Sequence, residues 1–120
     1  MSAGELSGEG STLAFEPPWY YAIEEKNLKE GRLFRVQAAG KDLLVIKNEG
    51  QIYILSNICP HARCPLHTGN IEDDYILKCI CHGRKFDIRT GECLNDSLKV
   101  KRYESKIDNG NIGVKIEENL

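Results

Sequence analysis

Cys59-Pro60-His61-Ala62-Arg63-Cys64-Pro65-Leu66-His67 and Cys79-Ile80-Cys81-His82-Gly83-Arg84-Lys85-Phe86-Asp87 are the two runs around which this chain is organised. Together they hold all 3 histidines and all but one of the 5 cysteines. Such a concentration of soft and borderline ligands points to a metal site. Reduced to ligand types, the runs contain Cys59-x-His61 and Cys79-x-x-His82, each offering one thiolate and one imidazole. Thiolates favour iron–sulfur iron or zinc and imidazole suits several metals, so ligand type alone leaves both open.

The two pairs, with Pro60, Pro65-Leu66, Gly69 and the His82-Gly83 … Phe86-Asp87 run around them, resemble the cluster-binding motifs of the Rieske [2Fe–2S] family. In that family two histidines replace two cysteines on one iron. The resemblance covers roughly Trp19 to Glu117, and its specific part is the ligand region. It implies one [2Fe–2S] cluster per chain, with Cys59 and Cys79 on the inner iron and His61 and His82 on the outer one. It also implies an all-β, antiparallel Rieske fold. In that fold a β-sandwich or barrel-like base carries a smaller cluster-binding subdomain, here the loops at about 57–89.

Cys64 and Cys81 fall where the respiratory, high-potential members carry a disulfide joining the two loops, so the resemblance implies a Cys64–Cys81 disulfide. Two reduced thiols are the alternative inside a cell, although a bond of low enough potential persists there. Cys93 is left over and is expected to be a small buried hydrophobe. The respiratory members also place a Ser just after the His-Gly and a Tyr three residues beyond the glycine, whose hydroxyls bond to sulfurs. Here those positions are Arg84 and Phe86. Hydrogen bonds to sulfur stabilise the reduced state, so the substitutions imply a low-to-intermediate potential within the family. Many members cover the cluster with a Gly-Pro segment. This chain has Leu94-Asn95-Asp96-Ser97-Leu98 there, which implies a looser cover.

His67 lies outside both ligand pairs and is expected on a surface loop, not as a fifth ligand. Arg63, Arg84 and Lys85 form a basic rim, either solvated or serving to dock an acidic redox partner. Glu72-Asp73-Asp74 falls in the connection between the loops.

At 120 residues the chain has the length of one domain. A hydrophobic fraction of 41% and a formal net charge of -2 give no sign of nucleic-acid binding. No apolar run approaches the roughly 18 residues of a membrane span, and the first residues lack a basic-then-apolar leader. A cytoplasmic, monomeric protein with no membrane span is therefore expected.

Residues 1–18, rich in Gly, Ser and Glu and closed by Pro17-Pro18, are expected to form a flexible N-terminal arm preceding a domain over 19–120. Trp19-Tyr20-Tyr21 starts a first strand, and Glu24 to Gly31 reads as a turn ended by glycine. Leu33–Ala38, Lys41–Lys47 and Gln51–Ser56 are β-rich and divided by Gly40-Lys41 and Asn48-Glu49-Gly50. Ile52 and Ile54 alternate with Tyr53 and Leu55, as in a strand packed on both faces. Tyr75–Lys78 is a short strand feeding the second loop, and Phe86 to Glu92 is a strand running into a Thr-Gly turn. Val100–Ile107 and Ile112–Ile116 flank Asp108-Asn109-Gly110 as a final hairpin. Short strands without helical periodicity indicate an antiparallel β domain.

Neither a nucleophile nor a general base is assembled outside the loops, so the resemblance implies an electron carrier, not an enzyme with its own substrate. The expected role is a Rieske-type ferredoxin passing electrons from a reductase to an oxygenase or other terminal oxidoreductase. A small subunit of a larger oxidoreductase and a zinc-binding structural module are the alternatives. Titration of His61 and His82, favoured by oxidation, implies a potential that falls with rising pH.

Overall fold

The computed structural model describes residues 15–60, 63–73, 75–81 and 83–117. Three antiparallel sheets make up the described fold. The first has the order β1-β10-β9, from Trp19–Glu24, Asn111–Lys115 and Ser105–Asp108. The second has the order β2-β3-β4-β8, from Leu33–Ala38, Lys41–Asn48, Gln51–Ser56 and Arg102–Tyr103. The third joins β5, Asn70–Glu72, to β6, Ile76–Lys78, and β7, Lys85–Asp87. The only helical pieces among the described residues are 3-10 turns at Glu25–Asn27 and Leu66–Thr68.

The second sheet is the partition of the molecule. Leu43, Leu44, Val45 and Ile46 on β3 have no exposed surface, although successive strand side chains face opposite ways. Leu43 and Val45, with Ile54 of the neighbouring strand, pack toward Ile112 and Val114 of the first sheet. Leu44 and Ile46, with Leu55, pack the other way, toward Leu77, Phe86 and the two cysteine loops. Each fully buried aliphatic side chain contributes on the order of 1.5–3 kcal/mol, so one continuous apolar strand supports two cores. Tyr53 and Ile52 divide between the same two faces, as their alternation predicted.

Ala39-Gly40, Glu49-Gly50 and Asn109-Gly110 close the hairpins β2–β3, β3–β4 and β9–β10, and both residues of each turn have positive φ. That geometry matches the right-handed twist of the flanking strands. Glu49, at φ 53°, is an unfavourable residue for it. The Glu30 carboxylate compensates by accepting the backbone N–H groups of Glu49 and Gly50.

Three expectations need adjustment. The arm expected over 1–18 falls outside the described residues for 1–14, but Phe15 is buried beside Gly113, and Pro18 O accepts Ile116 N–H at 2.8 Å. Packing therefore begins before Trp19. Val100–Ile107 is not one strand: β8 pairs with β4 and β9 with β10, so the chain changes sheet at Glu104. The acidic connection is partly a strand, since Asn70–Glu72 pairs with β6 before Asp73 turns the chain at φ 45°.

Candidate metal centre

The two cysteine-bearing loops are built on one plan. In the first, Cys59 N–H donates to Cys64 O at 2.9 Å, and Arg63 N–H donates back to Cys59 O at 2.7 Å. In the second, Cys79 N–H donates to Arg84 O at 2.8 Å, and Gly83 N–H donates to Cys79 O at 3.0 Å. The flanking residues pair equivalently, Ile58 with Pro65 and Lys78 with Lys85. The fifth residue of each turn has positive φ, 60° at Arg63 and 70° at Gly83. Both turns thus begin with a cysteine at the same backbone station.

Cys59 and Cys79 are fully buried and belong to the core that lies under the loops. Cys64 and Cys81 form a disulfide that ties one loop to the other across 17 residues of sequence. Cys93 is buried at 8% exposure in the same core, as a leftover hydrophobic cysteine should be. Phe86 is fully buried beneath the second loop. His61 and His82 lie outside the described residues, and among the described residues no group of three or more His, Cys, Asp or Glu is placed to hold a metal.

Asn57, which the sequence did not single out, anchors the first loop. It is fully buried at the end of β4. Its N–H donates to Asp42 O at 2.9 Å and its carbonyl accepts Leu66 N–H at 2.7 Å. Its side chain donates to Asp42 Oδ1 at 3.2 Å and accepts His67 N–H at 2.7 Å. His67 is accordingly a half-buried, pinned residue, 2.9 Å from Asn57 Nδ2 through its Nδ1. The Arg35 guanidinium, 2.9 Å from Asp42, holds that carboxyl below the usual carboxylate range against the opposing effect of burial. The available signal was a polar residue directly after an apolar strand and just before the cysteine motif.

The second loop is braced by the segment expected to be a loose cover. Leu94 N–H donates to Lys85 O at 2.7 Å, and Lys85 N–H donates to Asn95 Oδ1 at 2.9 Å. Asp96 pairs with Arg84 at 3.1 Å and caps Leu98 N–H at 2.8 Å. The segment is therefore anchored. Two of the three rim residues are ion-paired: Arg84 with Asp96, and Lys85 with Glu72 at 3.2 Å, which Lys78 also reaches at 3.8 Å. Lys85 holds the Glu72 carboxyl below its ordinary range. Arg63 remains exposed.

Two buried thiols at the heads of equivalent turns fit the thiolate half of a cluster site with two thiolates and two imidazoles. A family model for the Rieske [2Fe–2S] domain matches residues 18–104. The chain belongs to the Rieske [2Fe–2S] family, and its cofactor is a [2Fe–2S] cluster. Among Rieske relatives, it is 32% identical over 93 residues to the ferredoxin component of a naphthalene 1,2-dioxygenase system from Pseudomonas putida, covering 76% of this chain and 88% of the relative. It is 28% identical over 109 residues to sulredoxin from Sulfurisphaera tokodaii, covering 82% and 98%. The ferredoxin of carbazole 1,9a-dioxygenase from Nocardioides aromaticivorans IC177 superposes with a TM-score of 0.76 at 26% identity, covering 82% of this chain and 98% of that one. The Rieske assignment removes the zinc-module alternative. Among the described residues no helix is long and apolar enough to cross a membrane.

Proposed function

We propose that this protein is a one-electron carrier of the Rieske ferredoxin type, taking electrons from a reductase and delivering them to an oxygenase or another terminal oxidoreductase. The observation that carries this reading is the pair of equivalent, disulfide-joined turns, each headed by a buried cysteine. Cys59 and Cys79 serve as the thiolate ligands of one iron, and His61 and His82 as the imidazole ligands of the other. When bound, the [2Fe–2S] cluster supplies a one-electron redox couple.

The chain's own residues bind and orient that couple. Leu44, Ile46, Leu55 and Phe86 exclude water below the loops. Ile80, between Cys79 and Cys81, is 65% exposed, and Leu94 of the bracing segment is 57% exposed. These apolar side chains give a partner a desolvated contact beside the second loop. The kinship to ferredoxin components of dioxygenase systems supports an oxygenase as the acceptor. A cytoplasmic location belongs to the same proposal.

Iron and sulfide analysis with electron paramagnetic resonance tests it. The expected result is two irons per chain and, on reduction, a signal of low average g typical of mixed histidine–cysteine ligation. The reduced protein should pass its electron to ferricytochrome c. Zinc in place of iron, or a reduced signal typical of all-cysteine ligation, would sink the assignment.

A further inference from the structure

The two ends of the Arg84 guanidinium meet different surroundings. Asp96 holds Nη1 at 3.1 Å, whereas Nε is buried with no hydrogen-bond partner among the described residues. A buried donor left unpaired costs about 1–3 kcal/mol, and folded proteins contain few such groups unless a ligand or water completes them. The residue is not held loosely. Arg84 O accepts the N–H of Cys79, and the next residue, Lys85, is gripped through both its N–H and its C=O by Asn95 and Leu94. Arg84 therefore belongs to the same turn as one proposed thiolate ligand, with its side chain fixed at the far end by Asp96.

We propose that Arg84 Nε–H donates a hydrogen bond to a sulfur of the [2Fe–2S] site, either a bridging sulfide or a ligating thiolate, and that Asp96 is the positioning residue that sets its direction. This rests on the cluster reading above. Sulfur gains negative charge on reduction, and a donor on a cationic guanidinium bonds more strongly to it than a neutral one does. Arg84 then favours the reduced form. The consequence reverses part of the expectation from sequence: position 84 does not lose a sulfur donor but carries a charged one. Phe86 still offers none.

The test compares the loaded native protein with Arg84→Gln. The substitution is expected to shift the reduction equilibrium toward the oxidised form by about tenfold, about 59 mV for a one-electron couple. Pulsed electron–nuclear double resonance on reduced native protein labelled with 15N-arginine should show a nitrogen coupling and an exchangeable proton, both absent from Arg84→Gln. A reduction equilibrium within threefold of native, or no arginine coupling in the labelled native protein, overturns the proposal. If Arg84→Gln fails to load a cluster, the coupling in native protein alone decides. Loss of any Rieske-type signal from the native protein would overturn the cluster reading itself, so the two failures are distinguishable.

Discussion

Asn57 and His67 are joined twice, with Asn57 Oδ1 accepting the His67 backbone N–H at 2.7 Å and Asn57 Nδ2 lying 2.9 Å from His67 Nδ1. The carboxylate of Asp42, 3.2 Å from the same Nδ2, can only accept, which fixes the amide orientation. Nδ2 is therefore a donor toward His67, and Nδ1 keeps its lone pair. The ring proton sits on Nε2. A residue that the sequence assigned to a surface loop thus helps to fasten the start of the first ligand loop to the base of the fold.

Replacing Asn57 with alanine removes those side-chain bonds and leaves the half-buried His67 N–H without its acceptor. The expected cost is about 2–4 kcal/mol, from one orphaned donor and two lost bonds, one of them to a charged group. Denaturant unfolding followed by far-ultraviolet circular dichroism measures it. A change below about 1 kcal/mol would mean that the backbone bonds of Asn57 to Asp42 and Leu66 hold the loop unaided.

Gly69 separates a cost of space from a cost of conformation. A Cβ there would lie 2.0 Å from Lys78 O, a backbone atom held in the β5–β6 pairing. Gly40 has φ +77° but open space around it. Gly69→Ala is expected to destabilise by about 3 kcal/mol through overpacking. Gly40→Ala is expected to cost roughly 1 kcal/mol through its backbone angle. Equal costs in thermal or denaturant unfolding would show that the β5–β6 strands move apart easily.

The contrast between these residues explains what the sequence made legible. Gly-bearing turns and alternating or continuous apolar runs are local signals, and they located β2, β3, β4 and the hairpin at Asn109-Gly110 within a residue or two. The Cys64–Cys81 bond was legible through the resemblance to the Rieske family, whose respiratory members carry a disulfide at those positions. Asn57, Asn95 and Asp96 were not, because their partners come from distant parts of the chain and a polar residue in a loop looks the same paired or solvated. Asn70–Glu72 is too short to show a period. The break in Val100–Ile107 depends on which sheet each half meets, and Phe15 is buried only because β10 offers it Gly113.

The Cys64–Cys81 bond links the loops without belonging to the proposed ligand set. Closing a loop of comparable length restricts the unfolded chain by about 3 kcal/mol. The double variant Cys64→Ser/Cys81→Ser is expected to lose about 2–4 kcal/mol yet retain the electron paramagnetic resonance spectrum. Cys59→Ser and Cys79→Ser should each abolish that spectrum. Loss of the spectrum in the double variant, after unfolding data show it folded, would reassign the ligands.

Tyr75 fastens the cluster-side sheet to the β3–β4 turn of the base. Its hydroxyl donates to Glu49 Oε1 at 2.5 Å, its ring meets Tyr53 edge to face at 6.3 Å, and the Arg89 guanidinium lies 4.3 Å from its centre. The hydrogen bond to the Glu49 carboxylate is the main cause that pushes its pKa up to about 12, aided by desolvation. A tyrosine raised above its unfolded value of about 10 binds its proton more tightly in the folded state. Its contribution to stability is complete below about pH 10 and is lost between about pH 10 and 12. Ultraviolet absorbance titration of tyrosinate should therefore resolve a late step that Tyr75→Phe removes. The same variant should flatten the fall in stability over that pH range. Tyr103, raised by burial, remains as an internal comparison in both proteins. An unchanged late step in Tyr75→Phe would place the high-pH group elsewhere and leave the Glu49–Tyr75 contact without a role in the alkaline stability of the fold.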